Sequence, residues 1–298
     1  MSARLLVGFD FGGTKLAIRL AQPDGTPVAD EVLATQAEQG AEQAVRRAIA
    51  AAQQMLADRD AAAAAVGVAT MGITHEAQVE LAPNVPGWDR LALPAMLRDA
   101  FGSAVVAIAN DVKAAALAEL TWGELRGVRT GLYLNLGTGI AATLVVDGAV
   151  LEGAHGAAGE IGYWARSRAD AVGVAGGRAP LEEYAGGAGA LIRCRAELGV
   201  EGGVAALQTS ADAASRAFLK DLYDEIALHA TNLAIALDPE RMVVGGGYAR
   251  TSDEVLEAIR NRLDAFTPYP PDLRRARFGA DAGTAGAIAL AMGALNPR

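Results

Sequence analysis

Apolar residues recur in short runs over the first part of the chain, and their spacing predicts strands followed by a helix. Strands are predicted over residues 5–9, 16–20 and 28–33, with Pro23-Asp24-Gly25 as the turn between the last two. Apolar residues then follow a helical spacing from about residue 41 to 58. Residues 65–69 are a candidate for a short buried strand.

A second set of elements repeats this order in the middle of the chain. Strands are predicted over residues 130–136, 140–146 and 149–151, and Asp147-Gly148 is a strong signal for a two-residue hairpin. A long helix over about 212–237 and an apolar strand over 241–244 follow much later. Each set contains a strand, a glycine turn, a strand, a hairpin, a strand, and then a helix and a further strand.

Two such units predict an α/β protein with an actin-like (ribonuclease H-like) two-lobed fold and an active-site cleft between the lobes. We place the N-terminal lobe at residues 1–115, together with a C-terminal helix at 284–298, and the larger C-terminal lobe at 116–283. The boundary falls near a helix that begins at Asp111. The C-terminal helix is expected to pack against the first lobe.

Composition and charge narrow the class of protein. The 298 residues are 52% hydrophobic and 20% charged, which supports two cores and argues against disorder. The net charge is −9 and the longest basic cluster is Arg274-Arg275-Ala276-Arg277, so no nucleic-acid partner is expected. The single cysteine, Cys194, excludes an intrachain disulfide and fits a reducing compartment. With no signal segment and no apolar run long enough for a bilayer, we predict a cytoplasmic protein without a membrane partner.

Each unit has a glycine turn directly after its first strand. The residues of the two turns are Gly12, Gly13, Thr14 and Lys15, and Gly137, Thr138 and Gly139. Glycines let backbone N–H groups approach a phosphate, and an acid beside such a turn can hold the Mg²⁺ that accompanies ATP. We therefore predict ATP and Mg²⁺ as cofactors, with Asp10 acting on the metal indirectly. A phosphate contact and a place on the lobe surface are equally expected for Lys15.

The pair Asn110-Asp111 follows the strand-like residues 104–109 and precedes a helix over 112–120. The start of a helix stabilises a carboxylate through its N–H groups and its dipole. A sugar hydroxyl is a poor nucleophile, so a kinase needs a positioned base to accept its proton. Asp111 is our candidate for that base. The alternative, a simple helix cap, is the commoner role for such residues alone, and the flanking motifs favour the base.

Further candidate contacts lie in loops. A triplet of glycines follows the strand over 241–244: Gly245, Gly246 and Gly247. It allows flat packing against adenine or ribose, although an ordinary tight turn gives the same pattern. Glu160, in a run of small residues, and Asn84, between Pro83 and Val85, can bind sugar hydroxyls. His155 lies beside the Glu160 loop, and a site role and a structural role are about equally expected.

Together these segments resemble the ROK family of bacterial sugar kinases (repressor, open reading frame, kinase) nearly end to end. The matching segments are Asp10-Phe11-Gly12-Gly13-Thr14-Lys15, Pro83-Asn84-Val85-Pro86-Gly87-Trp88, Asn110-Asp111, Leu136-Gly137-Thr138-Gly139, Gly159-Glu160-Ile161-Gly162, Leu237-Asp238-Pro239-Glu240 and Asp281-Ala282-Gly283. Each motif is modest alone, and the resemblance rests on their shared order and spacing.

The resemblance implies ATP-dependent phosphorylation of a hexose-type sugar, usually at its 6-hydroxyl, with Asp111 as the base. It also implies a homodimer and sugar contacts from Asn84, Asn110, Asp111, Glu160 and Glu182. Repressors of the family carry a helix-turn-helix before the first glycine turn. Only Met1 to Ala3 precede the first strand here, so we expect a kinase.

The chain departs from the family pattern around the expected sugar loop. Tyr163 stands where the family usually has histidine, and its hydroxyl offers one hydrogen-bonding group in that place. The family's cysteine-rich zinc segment corresponds to residues 172–182, which contain neither cysteine nor histidine. Structural zinc needs about four Cys or His ligands, so no structural zinc is predicted. The missing histidine is also a sugar contact, which leaves the identity of the sugar open.

Three functions stay open as hypotheses. The first is a kinase for glucose or for an amino-substituted glucose such as kanosamine, glucosamine or an N-acetyl sugar. The second is a non-catalytic sugar-sensing or regulatory protein on the same fold, which would need neither a base nor phosphate turns. The third is a phosphate-releasing hydrolase, in which a sugar pocket with Asn84 and Glu160 would serve no purpose.

Overall fold

The computed structural model describes residues 3–74, 79–80 and 85–296. Asn84, one of the predicted sugar ligands, lies outside the described residues. The chain divides into two compact units. Unit 1 comprises Met1–Thr121, Glu152–Ala157 and Ala280–Arg298, and unit 2 comprises Trp122–Leu151 and Ala158–Gly279.

The secondary structure alternates strands and helices in both units. In chain order the strands are β1 (Ala3–Phe11), β2 (Lys15–Ala21), β3 (Pro27–Ala34), β4 (Ala61–Thr70), β5 (Ile73–Thr74), β6 (Val79–Glu80), β7 (Val105–Asn110), β8 (Gly131–Leu136), β9 (Ile140–Val146), β10 (Ala149–Val150), β11 (Arg241–Gly245) and β12 (Asp272–Arg275). The α-helices are α1 (Ala41–Ala57), α2 (Leu93–Phe101), α3 (Asp111–Trp122), α4 (Pro180–Ala185), α5 (Gly187–Leu198), α6 (Gly203–Gln208), α7 (Ala213–Leu237), α8 (Gly246–Thr251), α9 (Glu254–Phe266) and α10 (Ala282–Leu295).

Unit 1 is built on a five-stranded sheet with the order β3-β2-β1-β4-β7. Strands β1, β2 and β3 pair antiparallel, because tight turns join them. Strands β4 and β7 run parallel to β1, because α1 and α2 provide the helical crossovers that parallel pairing needs. As a result, β1, β4 and β7 end at the same edge of the sheet.

Strand β1 is buried on both faces, and its two faces meet different helices. Leu5, Val7, Phe9 and Phe11 join the hydrophobic core that includes the apolar side of α1. On the opposite face, a Cβ built on Gly8 would lie 2.9 Å from the Ile288 side chain of α10. The helix comes closer still to β4, where a Cβ on Gly67 would lie 1.8 Å from the carbonyl oxygen of Ala287. Helix α10 therefore packs against the sheet of unit 1.

Unit 2 repeats the sheet order of unit 1 as β10-β9-β8-β11-β12. Strands β8, β9 and β10 pair antiparallel, and β11 and β12 run parallel to β8. The hairpin residues Asp147 and Gly148 both have positive φ, which matches the turn predicted from this dipeptide. The core of this unit lies between the sheet and α7 and α9.

Candidate active site

Asp10 lies near the carboxyl end of β1, on the face of the strand that α10 covers. A Cβ built on Gly283 would lie 2.3 Å from the Asp10 carboxylate, so only glycine fits at that position of α10. Burial raises the pKa of Asp10, and the nearby charge of Lys15 opposes that shift. A half-buried carboxylate is suited to act on a cation, directly or through water.

The first glycine turn is held by its own backbone and by Thr35. The Gly12 N–H donates to the Lys15 carbonyl at 3.0 Å, and the Thr35 hydroxyl donates to the Gly12 carbonyl at 2.7 Å. Gly13, Thr14 and Lys15 are exposed. Hydrogen bonds to Gly12 thus hold the backbone of the turn, while Gly13, Thr14 and Lys15 face solvent. A phosphate contact and a place on the lobe surface both stay predictions for Lys15.

Asn110 is the last residue of β7 and Asp111 is the first residue of α3; β4 ends beside β7, and β1 ends beside β4. Thr70 of β4 is in register with Asn110 on one side and with Phe11 on the other. Adjacent strands lie about 4.8 Å apart, which places the ends of β1 and β7 about 10 Å from each other. In open α/β sheets such an edge is where ligands bind.

The two residues have different roles at the start of α3. The Asn110 side chain is buried, and its oxygen accepts the Val112 N–H at 2.8 Å while its amide donates to the Gly72 carbonyl at 3.0 Å. Asn110 is therefore the helix cap that the sequence left as the alternative for this pair. Asp111 is exposed at the first position of the helix, and its carboxylate oxygen also accepts the Val112 N–H at 2.9 Å.

Lys113, in the first turn of α3, contacts a segment of unit 1 that is remote in sequence. Its side chain is only 4% exposed. The ammonium donates to the Glu152 carboxylate at 3.0 Å and to the carbonyl oxygens of Glu152 and Gly156. These contacts fix residues 152–157, the segment on which the exposed His155 lies. The sequence analysis did not select Lys113 as a functional residue. Its position as the one lysine of the alanine-rich helix α3 was the feature that could have indicated a specific role.

The second glycine turn joins β8 to β9 in unit 2 and is tied to α5. The Gly187 and Ala188 N–H groups donate to the Gly137 and Thr138 carbonyls, both at 2.9 Å. A Cβ on Gly139 would lie 2.2 Å from a carboxylate oxygen of Glu182, so the glycine makes room for this side chain. The turn and the predicted sugar ligand Glu182 are therefore neighbours.

Glu182, Glu160 and Tyr163 converge in unit 2. Glu182 accepts the Ile140 N–H at 3.2 Å, and burial raises its pKa. Tyr163 belongs to the single helical turn Ile161–Tyr163, directly after Glu160. Burial, followed by the charges of Glu160 and Glu182, raises the pKa of Tyr163. The site thus offers two carboxyl groups and one hydroxyl that stays protonated at neutral pH.

The glycine triplet lies beside the second glycine turn. Gly245 is in register with Asn135 of β8, and a Cβ on Gly246 would lie 2.4 Å from the backbone of Leu136. Gly246 has a positive φ and begins α8, so the triplet forms the junction between β11 and α8, and its packing against adenine or ribose stays a prediction. A Cβ built on Gly247 would have no neighbouring heavy atom within 4 Å.

The candidate residues form two sets, one in each unit. Unit 1 holds Asp10, Gly12, Gly13, Thr14, Lys15, Asn110, Asp111 and His155, and unit 2 holds Gly137, Thr138, Gly139, Glu160, Tyr163, Glu182, Gly245, Gly246 and Gly247. Across residues 3–74, 79–80 and 85–296, no three His, Cys, Asp or Glu side chains are grouped to hold a metal ion. No helix in the described part of the chain has both the length and the apolar character of a membrane span.

Comparison with known proteins identifies the family. The sequence model of the ROK family matches residues 6–294. The bifunctional enzyme NanE/NanK of Brucella melitensis is 31% identical over 299 residues, which cover 96% of this chain and 54% of that protein. A glucokinase of Halalkalibacterium halodurans is 28% identical over 316 residues, covering 96% of this chain and 94% of that one. The crystal structure of a ROK hexokinase from Thermus thermophilus matches with a TM-score of 0.81 at 29% identity, covering 96% and 97% of the two chains.

The chain therefore belongs to the ROK family. The predicted resemblance and the predicted actin-like α/β fold class are both confirmed.

Proposed function

We propose that this protein transfers the γ-phosphoryl group of ATP to the 6-hydroxyl of a hexose-type sugar, with Asp111 as the general base. The observation that carries the proposal is the difference in position and burial between Asn110 and Asp111 at the start of α3. Asn110 caps the helix and is buried, whereas Asp111 presents an exposed carboxylate at the sheet edge where β1, β4 and β7 end. The relatives of this chain include a glucokinase and a ROK hexokinase, and these support the activity of a sugar kinase.

The two glycine turns would hold the nucleotide. Backbone N–H groups at such turns bind phosphate, and the glycines of the two turns carry no side chain that would prevent its approach. Bound Mg²⁺ would neutralise charge on the transferred phosphoryl group. Asp10 would orient that ion through water, and the glycine triplet at the end of β11 would lie against the adenosine part of ATP.

The sugar would bind to the polar groups around α4 and the loop before it. Glu160 and Glu182 can accept hydrogen bonds from sugar hydroxyls, and the Tyr163 hydroxyl can donate or accept. Two carboxyl groups also suit an ammonium substituent. Glucose and an amino-substituted glucose, such as kanosamine or glucosamine, or an N-acetyl sugar, are therefore the substrates we propose to test first. Asn84, Asn110 and His155 complete the proposed set of sugar contacts.

The experiment is a coupled assay of ADP release with Mg-ATP against a panel of hexoses and amino sugars. Asp111→Ala is expected to lower turnover by at least about 10²-fold, because general-base catalysis contributes about 10²–10⁴-fold. Sugar and ATP binding, measured by calorimetry, should change little. Asp99→Ala removes an exposed acid of α2 and is the matched control, with turnover near that of the wild type.

Each outcome separates the hypotheses. Near-normal turnover of Asp111→Ala would remove the base assignment. Sugar binding without turnover across the panel would favour the non-catalytic sensor. We further propose a cytoplasmic homodimer, and a monomeric mass by light scattering at micromolar concentration would contradict the dimer.

A further inference from the structure

The loop between Tyr163 and α4 is held by hydrogen bonds and ion pairs between its own residues and those of α4. Its acids are already engaged, since Asp170 accepts the Arg166 and Ser167 N–H groups at 2.7 and 3.1 Å. Glu183 pairs with Arg178, whose Nε lies 2.8 Å from one carboxylate oxygen. Tetrahedral zinc is bound mainly by thiolate and imidazole groups. Residues 163–184 contain neither, so their donor set does not fit a structural zinc ion.

Two guanidinium groups instead sandwich one aromatic ring in unit 2. The central carbon of the Arg166 guanidinium lies 3.2 Å from the centroid of the Tyr184 ring, and that of Arg193 lies 3.7 Å from it. Two such groups at these distances do not fit on one face, so they lie on opposite faces of the ring. Cation–π contacts of this kind are strongest when the groups are shielded from water. Arg193 is 16% exposed and Arg166 is 28% exposed.

The sandwich is anchored to the long helix α7. Arg166 donates to Glu225 at 2.8 Å, and Arg193 donates to Asp221 at 3.1 Å. The Tyr184 hydroxyl also donates to Asp221. Asp221 and Glu225 are one helical turn apart, so α7 presents both acceptors on one face. Two negative charges on α7 thus balance the two arginines.

The sandwich lies next to the proposed sugar ligand. Tyr184 and Glu182 are two residues apart on α4, a helix of six residues. The Glu182 carboxylate accepts the Ile140 N–H at 3.2 Å and fills the space above Gly139. Because α4 is short, fixing Tyr184 on one side fixes the direction of Glu182 on the other.

We propose that Arg166, Tyr184 and Arg193 form a metal-free clamp that positions Glu182 for sugar binding. The role of the clamp in sugar binding rests on the proposed function. Its role in holding Glu182 at the Ile140 N–H group does not. Tyr184 and Arg166 are therefore positioning residues that act through Glu182.

The test compares Tyr184→Leu, which removes the ring, with Tyr184→Phe, which keeps the ring and loses the hydroxyl. Arg166→Met removes one cation of the clamp. Arg195→Met is its control, because Arg195 pairs with the exposed Glu201 and takes no part in the clamp. Hydrogen exchange of the Ile140 amide reports the place of Glu182 without any substrate, and steady-state kinetics report sugar binding.

Tyr184→Leu and Arg166→Met are expected to speed exchange of the Ile140 amide and of residues 164–180. The KM for sugar should rise at least about 10-fold, the loss expected for one hydrogen bond to a charged group, while kcat and the KM for ATP change less than about 2-fold. Tyr184→Phe should retain most of the wild-type behaviour, and Arg195→Met all of it. Metal analysis of the wild-type protein should find well under one zinc ion per chain.

Several results would overturn the clamp. Unchanged exchange at Ile140 in Tyr184→Leu would show that the clamp does not position Glu182, whether or not the protein is a kinase. Faster exchange with an unchanged KM for sugar, in an active enzyme, would separate Glu182 from sugar binding. One zinc ion per chain, with loop exchange that increases after chelation, would replace the clamp by a metal site.

Discussion

The lysine that ties α3 to residues 152–157 gives a prediction whose size follows from the structure. In Lys113→Met the aliphatic volume is largely kept, whereas the ammonium and its hydrogen bonds are lost. The ammonium has three acceptors, namely the Glu152 carboxylate and the carbonyl oxygens of Glu152 and Gly156. The side chain is 4% exposed, so water does not readily replace the lost donor at the two carbonyls.

The magnitude comes from these contacts taken in turn. A hydrogen bond to a charged group contributes about 1.5–3 kcal/mol, and a buried carbonyl without a partner costs about 1–3 kcal/mol. The Glu152 side chain is 60% exposed, so its carboxylate is hydrated in the variant and accounts for only about 0–1 kcal/mol. Relief of the desolvation of the ammonium offsets part of the loss. We expect a net loss of about 2–4 kcal/mol in the free energy of unfolding.

The assay is calorimetric unfolding combined with hydrogen exchange over residues 152–157. The expected loss corresponds to a lowering of Tm by about 5–12 °C for a unit of this size. The control Glu152→Gln removes the charge of the exposed partner alone and should lower the free energy of unfolding by less than about 1 kcal/mol. Equal Tm values for the two variants, with unchanged exchange in residues 152–157, would refute the carbonyl contacts of Lys113.

Two further predictions concern the candidate site. Burial raises the pKa of Asp10 above its ordinary value of 3.8, so the folded state holds this proton more tightly than the unfolded state, and ionisation lowers stability as the pH rises. Asp10→Asn should therefore raise Tm at pH 7.5 by more than at pH 4.5 while lowering kinase turnover, and a Tm difference independent of pH would contradict the burial of the charge. Gly139→Ala places a Cβ 2.2 Å from the flexible end of Glu182, so the KM for sugar should rise while the free energy of unfolding changes by less than about 1 kcal/mol. The control Gly159→Ala, with φ of +88° and a Cβ 1.9 Å from the Ala142 carbonyl, should instead lose more than about 2 kcal/mol of stability, and equal denaturation midpoints for the two variants would refute the distinction.

The strands and helices that the sequence predicted are those with strong local signals. The apolar run of β1, the Asp-Gly hairpin after β9 and the apolar stripe of α1 each specify their structure within a few residues. Helices α4, α5 and α6 were missed, because they are short and are flanked or interrupted by glycine. Helix α9 was also missed, although Val255, Leu256, Ile259 and Leu263 follow a helical spacing and are buried.

The candidate site divides in the same way. The sequence pointed to Asp10, Asp111 and Glu182 because acids beside glycine turns, at strand ends or within family motifs are visible in one dimension. It could not distinguish Asn110 from Asp111 as the cap of α3, since both are good capping residues. The structure separates them by burial, and their proposed roles in catalysis stay predictions.

The sequence alone therefore determined the two repeated α/β units and the positions of the glycine turns, because hydrophobic periodicity and turn chemistry act between near neighbours. Only the tertiary structure decided which remote side chains support the site. Lys113 meets acceptors 39 and 43 residues away, and Arg166 meets Glu225 across 59 residues. Such contacts depend on the packing of whole elements. No local pattern encodes the distance or burial that gives them their strength.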